Sequence, residues 1–519
     1  MRLGLLLILG IAAVSAQIDQ IDGQRIAAYV KFLSSDLLEG RAPGTRGGQI
    51  AEEYLAAQFA LAGLTPLGKA GTWFQRVPLV SVAVDGTPRL SFARGGRSVP
   101  LRWSDEITGK PYSQSPVTRI DAEAVFAGYG ITAPEFNWDN YKNFDVRGKA
   151  VVLFTGEPDS EDPQFFGGKA LTYYGRWTYK YEEATRRGAV AVLIIHTTPT
   201  ASYGWNVVQG FGRAEPQAQR QSGEAALDFG GWISAEAAER AFGRKIDDLL
   251  AMAQDRGSEP LPLGLRLQGE IRLQLKPIVT SNIVGLVRGR DPELAREAVI
   301  FTAHWDHLGV GEPVQGDAIY NGALDNATGT AVLLEMAKAW ASLEPRPKRS
   351  AVFAAVTAEE AGLLGSQYCA QHPPSPGMKL VANLNVDMLY PYGRNTEIVV
   401  NGAERTALWQ VVQSLASRFE LSILPDPRPE AGSYYRSDHF SFAQAGIPAF
   451  SVGMGRSFAG KPAASERVRT FLEQDYHQPG DQWRDDFDFS GIELTARYVF
   501  ALGLEISSQG VGSSGGRIP

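Results

Sequence analysis

Apolar residues in the first part of the chain recur at helical intervals. Ile26, Val30 and Leu33, then Tyr54, Leu55, Phe59 and Leu61, fall on single faces, so residues 20–64 read as mostly helical. Between the two helical stretches, residues 34–48 are rich in Gly and Pro and read as an exposed loop, either a solvated connector or part of the rim of a site. From Gly71 to about Pro116 the pattern shortens to strands and turns. Apolar runs at 125–130, 149–154 and 189–195 then read as strands, with a helix over 177–187 before the last. From Ser281 onward strand and helix alternate. The run 298–303 ends at His304, 351–356 leads into Glu359, and 380–386 ends at Asp387. A helix over 327–343 places Val332, Leu333, Met336 and Trp340 on one face; a helix over 407–419 and a short strand near 447–452 follow. This alternation predicts an α/β fold, a mostly parallel mixed sheet flanked by helices.

At 519 residues the chain is too long for one ordinary core, and two domains are expected. The helices before the middle segment and the sheet after it read as one unit, residues 17–116 and 278–506. Residues 117–277 then form an inserted, smaller domain, α/β or β-rich, and 507–519, rich in Ser and Gly, a flexible tail. The first sixteen residues carry Arg2, an apolar run over 3–14 and the small-residue site Val14-Ser15-Ala16, the pattern of a signal peptide removed before Gln17. The run is shorter than the ~20 residues of a membrane span. Export to the periplasm or the medium is therefore expected, with no stable membrane anchor after cleavage. A net charge of −7 and the lack of any Lys/Arg run exclude the usual nucleic-acid-binding surface. Cys369 is the single cysteine, so no intrachain disulfide forms, and with only His372 nearby in a Pro-rich loop it reads as structural. Oligomeric state has no signature here.

Candidate chemistry is concentrated in the C-terminal half. His304, Asp306, Asp325, Glu359, Glu360, Asp387 and His477 are the nitrogen and carboxylate types that zinc prefers, and their number suits two ions sharing one carboxylate. His304, the Glu359-Glu360 pair and Asp387 lie just past strand runs, where open α/β sheets collect ligands. Taken singly, Asp325 reads equally well as a helix cap and the glutamates as acids at a helix start. Their joint position beside strand ends favours a site. Two divalent ions repel unless anionic groups lie between them, and Asp325 can give one oxygen to each, with a water between them as nucleophile. Of the adjacent glutamates, one can bind metal while the other takes the water's proton. Asp306 is expected to orient His304 by accepting its second N–H. Zinc suits this donor set, though cobalt or manganese could substitute.

Several motifs then resemble the dizinc aminopeptidase family of clan MH, which includes secreted leucyl aminopeptidases, glutamate carboxypeptidase II and the transferrin receptor. They are His304-Trp305-Asp306-His307-Leu308-Gly309, Gly322-Ala323-Leu324-Asp325-Asn326, Glu359 to Ser366, Asn385-Val386-Asp387, Ser437-Asp438-His439 and Tyr476-His477. The resemblance implies two Zn2+ per chain, one held by His304, Asp325 and Asp387, the other by Asp325, Glu360 and His477. It implies Glu359 as general base, Tyr476 as an oxyanion donor or a packing residue, Asp438 and His439 as pocket or support, and a cis Asp325–Asn326 bond. Through Gly128-Tyr129-Gly130, 145–152 and 184–189, the insertion resembles a protease-associated domain, a filter or a stabilising appendage. The activity implied is an exported aminopeptidase acting on peptides. A carboxypeptidase or dipeptidase of the glutamate carboxypeptidase type is the alternative, needing a basic residue such as Arg436. Glutaminyl cyclase, which uses one zinc, and a receptor-like protein that has lost ligands fit less well, since both ligand sets are complete.

Overall fold

The computed structural model describes residues 18–209, 214–221 and 223–509, which form two compact units. The first takes in the chain up to Pro78, Ile278–Pro427 and the chain from Tyr434; the second takes Leu79–Pro277 and Arg428–Ser433. The expected signal segment lies outside the described residues.

In the first unit the sheet runs, in spatial order, β6 (Ser422–Leu424), β5 (Glu397–Asn401), β7 (Ala449–Met454), β4 (Lys379–Val386), β2 (Glu297–His304), β3 (Ser350–Val356) and the C-terminal part of β1 (Leu261–Val287). Its centre is parallel: β2 pairs with both β3 and β4, and β4 with β7. The antiparallel pairs, β1 with β3 and β5 with β7, lie to either side. Every residue of β3, and all but the first of β2 and β4, is buried. Strands covered on both faces read as continuous apolar runs rather than alternating ones, which is why those runs were visible in sequence.

Helices α1 (Gly23–Leu33), α2 (Arg46–Leu61) and α3 (Thr328–Ala341) form in the stretches the pattern marked, α2 taking in the last three residues of the expected loop. The Asp22 carboxylate accepts the N–H of Gln24, and Thr45 Oγ1 that of Gly48, satisfying donors the first turns leave open. α3 buries Val332, Leu333, Met336 and Trp340, and the Trp340 ring meets Phe301 and Phe500 edge-on, 5.3 and 5.2 Å away. The last helix, α4 (Ser490–Gln509), runs past the point where the flexible tail was expected. Ser507 is buried, and its carbonyl accepts the N–H of Arg349 at 3.1 Å, so tertiary contact extends the helix through a Ser-rich stretch.

The second unit carries further strands. Strands Val117–Phe126, Ala150–Phe154, Ala191–His196 and Phe229–Ser234 run parallel in that order, with Ile107–Lys110 antiparallel at the end. Helices Trp177–Arg186, Ala235–Phe242 and Ile246–Gln254 accompany it, making the unit mixed α/β rather than simply β-rich. Its N-terminal boundary falls at residue 79, not 117. Residues 79–82 pair with Glu215–Ala218, and 107–110 with the strand Phe229–Ser234, so the short strands expected in the peptidase unit complete this one. The longer of its two segments ends at Pro277. Among the described residues no helix is long and apolar enough to cross a membrane.

Candidate metal centre

Register aligns the carboxyl ends of the central strands. His304, the last residue of β2, stands opposite Val356 of β3, and Thr302 opposite Asn385 of β4. His304, Glu359-Glu360 and Asp387 therefore emerge along one edge, as expected for an open parallel sheet. Asp325 arrives from the turn before α3, and His477 from the loop that follows residues 471–475.

The distances join these groups into one cluster. His304 Nε2 lies 3.2 Å from Asp325 Oδ1 and 3.3 Å from Asp387 Oδ1. His477 Nε2 lies 3.1 Å from Asp325 Oδ2 and 3.2 Å from Glu360 Oε2. Two ligands each about 2.0 Å from a tetrahedral zinc stand about 3.3 Å apart, so these four separations fit edges of two coordination shells. The two oxygens of Asp325 are divided between the two imidazoles, as a bridging carboxylate requires. His304, Asp325 and Asp387 form one potential metal-binding group; His304 also groups with Glu359 and Glu360, and His307 with Asp325 and Glu360.

Charge points the same way. Four carboxyl groups, Asp325, Glu359, Glu360 and Asp387, gather around the His304 and His477 imidazoles. Burial favours neutral imidazoles, yet the carboxylates overcome it. His304 is raised well above its ordinary value by Glu359, Asp387 and Asp325, and His477 is pushed to about 11 by Glu360 and Asp325. The cluster attracts cations, here protons. Burial raises the Glu359 carboxyl well above the usual range; His304 opposes this, and Glu360, Asp387 and Asp438 add to it. A carboxylate so raised is suited to accept a proton.

A lattice of hydrogen bonds holds the ligand loops. Asn326 Nδ2 donates to the Val386 carbonyl at 3.0 Å, while its Oδ1 accepts from Gly329 and Met388, tying the Asp325 turn to the Asp387 turn. Ser437 Oγ donates to Asp387 Oδ2 at 2.6 Å. Thr330 Oγ1 donates to the His304 carbonyl at 2.7 Å. The Asp325–Asn326 bond is cis, and Ala358, Met388 and His477 have positive φ.

Asp306 behaves differently from expectation. His304 Nδ1 meets the backbone carbonyl of Asp306 at 3.2 Å, while the carboxylate stands 3.9 Å away. That carboxylate instead accepts the Glu359 N–H at 3.3 Å, because the chain turns immediately after His304 and presents the carbonyl first. Tyr476 stacks on His477 at 4.0 Å and is 41% exposed, so its hydroxyl is not consumed by core packing. Partial burial, and then the carboxylates of Asp325, Glu360 and Glu359, raise its phenol well above the ordinary value. Asp438 and His439 are fully buried, the position of support rather than of a pocket wall. Arg436 is exposed. Cys369 is buried and its thiol pushed up to about 12, which makes it inert.

Three residues at the centre were not singled out by sequence. Arg41, from the Gly-rich loop, is fully buried and donates to the carbonyl of Leu33 and to those of Trp305, Asn321 and Gly322, which lie beside His304 and before Asp325. The Asp481 carboxylate accepts the N–H groups of Leu324 and Asp325 at 2.8 and 3.0 Å. His307 Nδ1 lies 2.6 Å from Glu360 Oε1. Only His307 carried a signal, its place in the His304 motif; an arginine in a loop and an aspartate four residues after His477 look like surface charge.

Comparison with known proteins agrees with this geometry. Residues 282–502 match the model of peptidase family M28. Over 224 residues the chain is 30% identical to aminopeptidase YwaD of Bacillus subtilis (strain 168), a stretch covering 42% of this chain and 43% of that protein. Over 128 residues it is 34% identical to a probable zinc metalloprotease of Pyrenophora tritici-repentis (strain Pt-1C-BFP), covering 24% of this chain and 28% of that protein. The chain thus spans less than half the length of these curated relatives. In three dimensions it resembles an aminopeptidase from Aneurinibacillus sp. strain AM-1, with a TM-score of 0.53 and 19% identity over 96% of this chain and 97% of that one, a likeness of fold. Residues 282–502, the stretch that matches the model of peptidase family M28, hold all five proposed metal ligands.

Proposed function

We propose that this chain is an exported aminopeptidase that works with two zinc ions and removes N-terminal residues from peptides. The observation that carries this reading is the division of Asp325, Oδ1 at 3.2 Å from His304 and Oδ2 at 3.1 Å from His477. His304, Asp325 and Asp387 would hold one zinc, and Asp325, Glu360 and His477 the other. Relatives described as an aminopeptidase and as zinc metalloproteases support the activity and the metal, and the leader pattern of residues 1–16 supports export.

When bound, zinc polarises a scissile carbonyl and brings the pKa of a water toward roughly 7. The chain's own groups do the rest. Glu359, raised by burial and its carboxylate neighbours, takes the proton of the attacking water and returns it to the leaving amine. The Tyr476 hydroxyl, held protonated, donates to the oxyanion as it develops. Asp387, Glu359 and the Met388 carbonyl supply acceptors for a substrate's terminal ammonium, which favours aminopeptidase action. The carboxypeptidase alternative rests on Arg436, which is exposed. Residues 79–277 are read as a protease-associated domain without chemistry of its own; among the described residues the metal-binding groups all lie in the other unit.

The test is metal analysis of the purified chain with a panel of aminoacyl nitroanilides set against N-blocked dipeptides. Two zinc ions per chain and hydrolysis of the first class alone are expected; cleavage of only the blocked dipeptides overturns the aminopeptidase reading. Glu359→Gln should keep its zinc and lose about 10²- to 10⁴-fold in turnover, and undiminished turnover refutes the general-base role.

A further inference from the structure

Glu360 stands between two imidazoles that approach it differently. His477 offers Nε2 to Oε2 at 3.2 Å, and His304 likewise offers Nε2 to its carboxylates, at 3.2 and 3.3 Å. His307 alone offers Nδ1, to Oε1, at 2.6 Å. Two atoms bound to one tetrahedral zinc stand about 3.3 Å apart, so this contact is too short for ligands of a shared ion. It matches a short charge-assisted hydrogen bond.

We propose that His307 is a positioning residue: its Nδ1–H holds Glu360 by Oε1, so that Oε2 alone is presented to the second zinc. This rests on the two-zinc reading above. A carboxylate can only accept, so Nδ1 must carry the proton, and the ring's tautomer is set. His307 Nε2 is buried and has no hydrogen-bond partner among the described residues, so Glu360 is the ring's only such contact. The ring itself is fixed by packing. Gly322, at φ +59°, lies against it so closely that a Cβ would stand 2.4 Å from His307 Cγ. A carboxylate freed at Oε1 would rotate or chelate with both oxygens, and the second coordination shell would lose its shape. Groups that orient a ligand in this way typically contribute 10- to 100-fold in metal affinity.

Three substitutions separate donation from bulk. In His307→Asn the amide Nδ2 lies the same number of bonds from Cα as the imidazole Nδ1 and can make the same donation. His307→Gln sets its donor one bond too far, and His307→Phe keeps a ring without a donor. Zinc is titrated calorimetrically into the metal-stripped full-length chain. The wild type should bind two ions; Asn should stay within about threefold of it, while Gln and Phe bind the second ion roughly 10- to 100-fold more weakly with the first unchanged. The Gln variant, which stays polar, keeps the test informative if Phe does not fold. Asn as poor as Phe would make His307 a direct ligand and overturn the inference, as would Gln and Phe both matching the wild type. A wild type binding fewer than two zinc ions refutes the two-zinc reading itself, and this one with it.

Discussion

Arg41→Lys keeps a positive charge beside the candidate metal centre but not the shape that uses it. The guanidinium donates to the carbonyls of Trp305 at 2.6 Å, Gly322 at 2.7 Å and Leu33 at 2.9 Å, and to that of Asn321. Burial lowers its pKa to about 10, with Asp481, Asp306, Asp325 and Glu360 opposing, so it stays charged at neutral pH. Lysine carries three donors on one nitrogen and cannot span a planar fork's reach. One or two of these carbonyls would be stranded in the interior, where each hydrogen bond to a charged donor contributes about 1.5–3 kcal/mol. The expected loss is about 2–5 kcal/mol, most of it from the loops that hold His304 and Asp325. Hydrogen exchange read on peptides covering residues 297–304 and 350–356 reports this unit alone. Exchange in the variant should be faster by about thirtyfold or more. Protection within about threefold of wild type would show that Arg41 does not brace these loops.

Two further outcomes follow. His439 is fully buried, and burial, with Arg405 adding, lowers its pKa from 6.5 to about 3. The unfolded chain therefore binds a proton that the folded chain refuses between those values. The stability from keeping His439 neutral is full above pH 6.5 and is lost as pH falls toward 3, by about 1.4 kcal/mol per unit. Against wild type, His439→Phe should gain about 2 kcal/mol of relative stability between pH 6.5 and pH 5 in urea unfolding; parallel pH profiles would contradict this. Tyr476→Phe should retain zinc and KM while kcat falls by about 10²- to 10³-fold, as for loss of an oxyanion donor. An unchanged kcat would reduce Tyr476 to packing against His477.

The elements were largely legible from the chain. A strand buried on both faces, such as Ser350–Val356, needs an unbroken apolar run, and a core helix such as Thr328–Ala341 needs apolar residues every three to four positions. Both patterns are local. Candidate ligands could be named as well, since His304, the Glu359-Glu360 pair and Asp387 stand just beyond strand runs. Other features depend on groups remote in sequence: Arg41 lies 264 positions from Trp305, and Asp481 lies 156 from Asp325. Sheet order and loop paths decide such contacts, and periodicity carries no record of either. For the same reason residues 79–116 read as strands without revealing which sheet they would join. The backbone turn after His304 put a carbonyl, not the Asp306 carboxylate, on its ring. Composition and spacing determined which atoms could bind a cation; only packing in three dimensions decided which oxygen faces which nitrogen, because that choice turns on differences of less than 1 Å.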